Sequence, residues 1–251
     1  MSELMLAIRA RTPARILAGR AGPAYLTATQ LELRQDHAAA VDAVHAEMDL
    51  DKDFGQVFLN KWGLFEVRTC AASKAEFLMR PDLGRRLSDH ARQELIRRCP
   101  AEVDFQIVIG DGLSVAAVRT QVPRLLPILM ESAVDRGSIG CPFVVRYCRV
   151  GVLNDIGELL KPAVVALLIG ERPGLATAES LSAYMAYHPR TGHNDANRNL
   201  ISNIHARGIA PEDAAQRILA LADKMRSRQA SGVAIKEDLV KPDKTRSLPR
   251  L

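Results

Sequence analysis

Apolar and polar positions change their pattern along this chain, and the pattern is clearest after residue 100. The strongest signal is the unbroken apolar run Val164–Ile169, which precedes Gly170 and the charged pair Glu171–Arg172. A run this short and this rich in β-branched residues predicts a strand buried on both faces. Further strand segments with apolar runs lie at 103–114, 141–150 and 181–187.

Between these segments, apolar residues recur at helical spacing. This spacing predicts helices at 123–136, 155–160 and 211–227. Strands that alternate with helices are typical of a parallel sheet covered on both sides. We therefore predict an α/β fold with a Rossmann-like, mostly parallel sheet and helices on both faces.

The first hundred residues have a different pattern and predict a smaller, mainly helical region. One helix is expected from Thr27 or Thr29 to about Met48, and a second from Pro81 to near Cys99. Residues 49–80 are mixed, with short extended pieces expected at 63–69 and 75–80. The predicted domains are 1–100, with an arm at 1–22, then 101–235, followed by a charged tail at 236–251.

Composition narrows the classes of partner. The chain has 251 residues, 47% of them hydrophobic, with a net charge of +5 and an aromatic content of only 4%. Single-stranded nucleic acid is bound on aromatic platforms, and aromatic residues are scarce in this chain. We therefore expect no nucleic-acid partner and read the positive charge as a solvated surface or a contact with an acidic protein.

The spacing of the cysteines and the lengths of the apolar runs indicate the cellular compartment. Cys70, Cys99, Cys141 and Cys148 show no CxxC spacing, so we expect reduced thiols rather than a zinc site or disulfides. No apolar run is long enough to cross a membrane, and the N-terminus has no uninterrupted signal-type core. The sequence predicts a cytoplasmic protein.

Three glycine-containing loops follow the predicted strands, at 110–114, 147–151 and 170–174. In a parallel sheet the carboxyl ends of the strands meet at one edge, where ligands bind. Glycines there predict a smooth rim lined by backbone, which suits a large flat ligand carrying many amides. The first loop lacks the third glycine of a dinucleotide fingerprint, and the chain has no GxxxxGK[ST] motif.

For several isolated polar residues the sequence is consistent with either a functional or a structural role. Asp111 either forms a nucleophile-type pair with Ser114 or caps the helix that starts at Ser114. Arg85 and Arg86 either face an anion or lie in solvent. His205 is more consistent with a structural hydrogen bond than with catalysis. No paired carboxylates and no activated nucleophile stand out, so the sequence does not favour a self-sufficient hydrolase.

A resemblance to a known family covers most of the chain, from about residue 19 to residue 233. The segments that carry it are GRAGPAYLTATQLELRQDHAAAVDAV, FLMRPDLGRRLSDHA, VDFQIVIGDGLS, GCPFVVRYCRV, IGELL, LIGERPGL, ESLSAYMAYHPR and ISNIHARG. In this order they resemble the small (light) subunit of the adenosylcobalamin-dependent ethanolamine ammonia-lyase family.

The resemblance implies a partner and a cofactor. In that family a large TIM-barrel subunit holds ethanolamine, and the small subunit closes over adenosylcobalamin in a hetero-oligomer. An adenosyl radical starts the conversion of ethanolamine to acetaldehyde and ammonia, and the catalytic residues belong to the large subunit. The family's cofactor contacts correspond to Val150, Glu171 and Leu200 in this chain. The third position is commonly cysteine in the family, so a backbone or apolar contact is expected at Leu200.

Two further expectations concern the mode of binding and the location. The Asp-x-His-x-x-Gly motif of base-off cobalamin enzymes is absent, which agrees with the base-on binding that the resemblance implies. Some members carry a long leader linked to a bacterial microcompartment; here the family-like part begins almost at once, so we do not expect packaging by such a leader. The arm Met1–Arg20 is expected to order against the partner or a neighbouring subunit.

One alternative from a different class remains at this point. The same strand-and-loop pattern is consistent with a free-standing Rossmann-like module that binds a nucleotide or another small molecule. Such a module would keep its ligand when purified alone, whereas the small subunit of a lyase requires a large partner.

Overall fold

The computed structural model of the protein describes residues 3–10, 19–174 and 177–238. Its helices are α1 (Glu3–Ala10), α2 (Thr27–His45), α3 (Leu50–Phe54), α4 (Gln56–Trp62), α5 (Lys74–Met79), α6 (Asp89–Arg98), α7 (Val115–Ala133), α8 (Val152–Leu160) and α9 (Pro211–Arg228). Its strands are β1 (Arg20–Ala21), β2 (Ala24–Tyr25), β3 (Glu66–Arg68), β4 (Phe105–Gly110), β5 (Phe143–Arg146), β6 (Val164–Gly170), β7 (Leu181–Tyr187) and β8 (Asn199–Ile204).

Six strands form one sheet in the order β3-β5-β4-β6-β7-β8. The pairs β3–β5, β5–β4 and β4–β6 are parallel, whereas β6–β7 and β7–β8 are antiparallel. The expected mostly parallel α/β sheet is confirmed. The antiparallel strands β7 and β8 therefore extend the sheet sideways beyond β6, the last of the parallel strands.

Helices cover both faces of the parallel part. Alternate residues of a strand point to opposite faces, and accordingly Ile107 and Ile109 pack with α7 and α9 while Val108 packs with α6 and α8. Every residue of β4 and of β6 is buried. Burying each large apolar side chain contributes roughly 1.5–3 kcal/mol, so these central strands anchor the fold.

The antiparallel extension is covered on one face and open on the other. Ala183, Met185 and Ile201 are buried in the core beneath α9. On the opposite face Tyr184 is half-buried and Leu200 is 47% exposed. An apolar side chain so placed leaves a patch of sheet available to a ligand or a partner.

The sheet also crosses the expected domain boundary near Pro100. Strand β3 comes from the first hundred residues and pairs with β5 through Glu66–Val144, Val67–Val145 and Arg68–Arg146. The N-terminal region therefore contributes an edge strand to the same sheet. Its mainly helical character is confirmed by α2 to α6.

Several local predictions are corrected. Residues 74–79 form α5 rather than an extended piece, because the Ser73 side chain accepts a hydrogen bond from the Glu76 N–H and caps a helix. The helix expected from Pro81 begins at Asp89, where Ser88 accepts from the Ala91 N–H at 3.2 Å. No strand is predicted from the sequence between residues 188 and 209, but this stretch contains β8.

Helix α2 is present as expected, but its apolar stripe is not part of the core. The helix has 19 residues and none of them is buried. Leu31 and Val41 are exposed, as are Tyr25 and Leu26 just before the helix. Most of the stability of a helix in a protein comes from packing of one face, and α2 has little of it within the chain. Of the predicted N-terminal arm, residues 1–2 and 11–18 lie outside the described residues.

The start of the predicted tail is attached to the body. Glu237 forms an ion pair with Arg217 of α9, with 2.6 Å between Oε2 and Nη2. Asp238 lies 2.6 Å from the Nζ of Lys224, also on α9. Residues 239–251 lie outside the described part of the chain.

Gly170, at the end of β6, is predicted to tolerate no side chain. A Cβ there would overlap the backbone oxygen of Ser114. We expect Gly170→Ala to lower the free energy of unfolding by about 1–3 kcal/mol or more, measured by urea denaturation. The matched control is Gly19→Ala, where the new methyl would meet only the end of the Leu26 side chain. Equal stability of both variants would contradict this prediction.

Candidate functional site

The loops that follow β4 and β6 are locked together by glycine. Gly112 has φ +57°, and a Cβ on it would overlap the carbonyl oxygen of Gly170. The N–H of Leu113 donates to that same oxygen at 3.1 Å. Only glycine allows this left-handed conformation and this close approach without strain. The two loops therefore form one continuous backbone surface at the carboxyl edge.

Asp111 fastens the third loop to this surface. Its two carboxylate oxygens accept hydrogen bonds from the N–H groups of Tyr147 and Cys148, at 2.9 and 2.8 Å. The side chain is buried, and burial raises the pKa of the carboxyl while the charge of Lys74 and the N–H donors oppose the shift. Asp111 is thus a structural tie between the ends of β4 and β5, and neither a nucleophile partner nor a helix cap.

Ser114 is the residue that caps the helix. Its hydroxyl oxygen accepts from the Ala117 N–H at 3.1 Å and donates to the carbonyl of Ala178. Both hydrogen-bonding capacities are used within the chain. Of the two interpretations that the sequence left open, a cap by Asp111 is therefore wrong, because Ser114 itself makes the cap.

Lys74 is an unexpected buried charge beneath the rim. It is 5% exposed, and its Nζ donates to the carbonyl of Gly112 at 3.4 Å while lying 5.3 Å from the centre of the Phe77 ring. Burial lowers the pKa of the ammonium group, and among the acids the charge of Asp111 opposes the shift most. The lysine compensates the charge of Asp111 and holds the Gly112 turn.

Val150, Glu171 and Leu200 line one cleft of about 220 Å³. The cleft also has walls from Gly112 and Gly170, together with Tyr184 on β7. Val150 and Glu171 stand at strand ends, whereas Leu200 lies on the open face of β8. The structure brings together all three residues that the sequence singled out, although 50 positions separate the first from the last.

Glu171 is held by donors from its own chain. Its Oε2 accepts from the hydroxyl of Ser180 at 2.7 Å. Its Oε1 accepts from the hydroxyl of Ser182 and from the Asn203 N–H, the latter at 3.2 Å. Within the described residues no ion pair joins Glu171 to Arg172. A carboxylate has about four acceptor positions, so one on Oε2 is left after these bonds.

A second, larger cavity adjoins the cleft. It has a volume of about 750 Å³ and shares Arg149, Val150 and Tyr184 with the cleft. Arg85 and Arg86, for which the sequence left two interpretations, both line it. The combined opening is therefore apolar and backbone-lined on one side and cationic on the other.

His205 has the structural role that the sequence favoured. Its Nδ1 accepts from the N–H of Arg207 at 3.2 Å, so its Nε2 carries the proton and donates to the Asn203 Oδ1 at 2.8 Å. Burial lowers the pKa of the imidazole. The ring is thus fixed as a neutral link in the loop after β8.

The described part of the chain contains neither a cluster of metal-ligand residues nor a membrane-spanning helix. No group of three or more His, Cys, Asp or Glu residues there could hold a metal ion. Across residues 3–10, 19–174 and 177–238, no helix is both long and apolar enough to span a membrane. The arrangement is suited to holding a ligand between glycine backbone, one carboxylate and several arginines.

Comparison with known proteins identifies the class and then the family. The family model described as ethanolamine ammonia-lyase light chain matches residues 2–236. The small subunit of ethanolamine ammonia-lyase from Clostridium perfringens is 41% identical over 235 residues, which cover 93% of this chain and 78% of that protein. The proteins of the same name from Clostridium acetobutylicum and Fusobacterium nucleatum are 39% and 40% identical, each over 93% of this chain and over 95% and 78% of their own length.

These matches define a subunit of a lyase. The chain belongs to the ethanolamine ammonia-lyase light chain family. The resemblance found in the sequence is thereby confirmed, and the alternative of a free-standing nucleotide module is not supported.

Sequence reasoning missed Tyr184 and Arg198, which line the larger cavity. The signal for Tyr184 was the alternation of residues within 181–187, which would have shown that it faces away from Ala183 and Met185. Arg198 had no signal, because the strand that follows it, β8, has no clear pattern in the sequence.

Asp111→Asn is expected to destabilise the attachment of the loop after β5 to the end of β4. An amide offers one acceptor oxygen where the carboxylate offers two, so either Tyr147 or Cys148 loses the acceptor of its N–H. Leaving one buried donor unpaired costs about 1–3 kcal/mol, which urea denaturation would measure. Asp135→Asn, in an exposed turn after α7, is the control and should be neutral. Wild-type stability of Asp111→Asn would show that the two hydrogen bonds contribute nothing.

Proposed function

We propose that this chain is the small subunit of an adenosylcobalamin-dependent ammonia-lyase that acts on ethanolamine. With a large subunit it forms a hetero-oligomer that encloses the cofactor, and the products are acetaldehyde and ammonia. The observation that carries the proposal is the convergence of Val150, Glu171 and Leu200 on one cleft. We place the assembly in the cytoplasm, with a bacterial microcompartment as a second location.

The chemistry of the cleft supports a corrinoid ligand. A corrin ring carries a rim of side-chain amides around a large apolar face. Backbone groups of the glycine-rich loops can pair with amides, and the remaining acceptor position on Glu171 Oε2 can take an N–H or O–H donor. Leu200 and Tyr184 offer apolar surface beside these polar groups.

The size of the cleft supports a shared site. Pockets that enclose a whole ligand have volumes of roughly 300–1,000 Å³ for drug-sized molecules, and a cobalamin is larger than these. A cleft of about 220 Å³ that opens beside an uncovered sheet face can hold only one side of it. A second protein surface is needed to cover the other side.

The exposed N-terminal helix supports a protein partner. Helix α2 has no buried residue, and Leu26, Leu31 and Val41 around it are exposed. Docking against a large subunit would give this helix the packing that it lacks within the chain.

The residues of this chain have binding and shielding roles in the proposed reaction. When bound, adenosylcobalamin supplies a weak cobalt–carbon bond whose cleavage initiates radical chemistry. Glu171 orients the cofactor by accepting a hydrogen bond, and Leu200 and Tyr184 exclude water from its apolar surface. No Asp-x-His-x-x-Gly segment is available to replace the cofactor's own base, which supports base-on binding.

The experiment that tests this function is co-expression with the large subunit. We expect the purified complex to release acetaldehyde from ethanolamine when adenosylcobalamin is added, and the small subunit alone to release none. The small subunit alone is also expected to bind adenosylcobalamin weakly, since it forms only one side of the site. Turnover by the single chain, or a nucleotide retained by it on purification, would overturn the proposal.

Glu171→Gln tests the carboxylate in the cleft. The amide oxygen can accept from Ser182 and Asn203, and the amide nitrogen can donate to Ser180, since a hydroxyl both donates and accepts. The fold should therefore be kept while the acceptor offered to the cofactor is lost. We expect the Kd of the complex for adenosylcobalamin to rise about ten-fold, with little change in Tm or in the rate at saturating cofactor.

Ser180→Ala is the matched control for this variant. It removes a donor that binds Glu171 Oε2 but leaves the carboxylate in place. We expect cofactor affinity close to that of the unmodified complex. If Glu171→Gln lowers the Tm and leaves the Kd unchanged, the carboxylate is structural only.

A further inference from the structure

Four arginines line the larger cavity beside the proposed cofactor cleft. They are Arg85, Arg86, Arg149 and Arg198. Arg149 also lines the cleft itself, so the cationic cavity and the cleft adjoin at this residue. The cluster has no role in the proposed contacts of Val150, Glu171 and Leu200.

The acids in this cavity are already paired. Asp195 accepts from Nη1 of Arg198 at 2.7 Å. Asp155 accepts from Arg92 at 3.2 Å and from the Leu87 N–H at 2.9 Å. Arg85, Arg86 and Arg149 form no ion pair with any residue in the described ranges. The cavity therefore carries more positive than negative charge, and three of its four arginines have no ion-pair partner within those ranges.

The charged guanidinium of Arg149 lies in an unfavourable environment. Its guanidinium carbon lies 4.5 Å from the centre of the Phe77 ring, and its Nε is buried without an acceptor. Burial lowers the pKa of this guanidinium, and the charges of Arg85 and Arg172 lower it further. An anion between Arg149 and Arg85 would remove this repulsion.

Two glycines let these arginines lie against the backbone. A Cβ on Gly84 would come within 2.8 Å of the Arg149 Cγ, and a Cβ on Gly151 would come within 2.8 Å of the Arg85 Cγ. The Arg149 N–H also donates to the Gly84 carbonyl at 2.8 Å. Each glycine thus makes room for the arginine of the other segment, and the pair is built into the fold rather than spread over the surface.

Helix α8 adds to the positive potential. It begins at Val152, directly after Gly151, which lines the cavity. The N-terminal end of a helix carries partial positive charge that favours anions. Arginine forks and a helix N-terminus together are typical of phosphate recognition.

We propose that this cavity binds the phosphodiester in the nucleotide tail of the cofactor, with Arg85 and Arg149 as its ligands. This inference rests on the proposed function, because the cavity adjoins the cleft proposed for the corrin and shares Arg149, Val150 and Tyr184 with it. The phosphodiester is the anionic group of adenosylcobalamin, and the arginines supply the charge that it needs. The corrin contacts would then orient the ring, and the arginines would fix the tail.

The test measures cofactor affinity in the complex with the large subunit by equilibrium dialysis. Arg149→Met and Arg85→Met keep an apolar stem of similar length and remove the charge. The probes are adenosylcobalamin, adenosylcobinamide phosphate, and adenosylcobinamide, which lacks the phosphate. Each variant should weaken binding of the two phosphate-bearing probes about ten-fold and leave adenosylcobinamide binding nearly unchanged.

Arg80→Met is the matched control, since Arg80 precedes the same segment but pairs with Asp82 at 2.8 Å and does not line the cavity. It should leave all three affinities unchanged. Raising the salt concentration should weaken binding of adenosylcobalamin more in the unmodified complex than in Arg85→Met, because part of the attraction is screened.

The outcomes separate this inference from the proposed function. If Arg85→Met, whose side chain is exposed, weakens all three probes equally or none of them, the phosphate assignment is wrong while cobalamin binding stands. If the unmodified complex binds no corrinoid, the proposed function and this inference both fail.

Discussion

The close approach of backbone at the ends of β4, β5 and β6 is the constraint on which the candidate site depends. Gly112 and Gly170 can be no other residue without overlap, and Asp111 ties the loop after β5 to the same surface through two N–H groups. Lys74 compensates that buried carboxylate from below. The rim is therefore rigid before any ligand arrives, and a preorganised surface loses little entropy on binding.

The parallel and antiparallel halves of the sheet have different roles. The parallel half is covered on both faces and supplies stability, since its central strands are wholly buried. The antiparallel half is covered by α9 on one face and presents Tyr184 and Leu200 on the other. An open sheet face beside a rigid rim is an incomplete site, which agrees with membership in a family of small subunits.

The charged side chains near the strand ends form two groups of opposite sign. On the rim, the carboxylate of Glu171 is held by Ser180, Ser182 and Asn203, so its position is set by its own chain. Beside it, glycines make space for Arg85 and Arg149, and neither arginine forms an ion pair with another described residue. The site therefore offers an acceptor and a cationic pocket a short distance apart, an arrangement that favours a ligand with donors at one end and an anion at the other.

The sequence by itself determined the α/β class, the positions of the central strands and the three glycine-containing loops. These features could be predicted because a buried strand and the glycines that follow it form a local pattern of residues. It also indicated Val150, Glu171 and Leu200 through a family resemblance. Only the tertiary structure decided that β7 and β8 run antiparallel, that β3 joins the sheet, and that Arg85 faces Arg149. These depend on contacts between segments tens of residues apart, which no local pattern of hydrophobic and polar residues encodes.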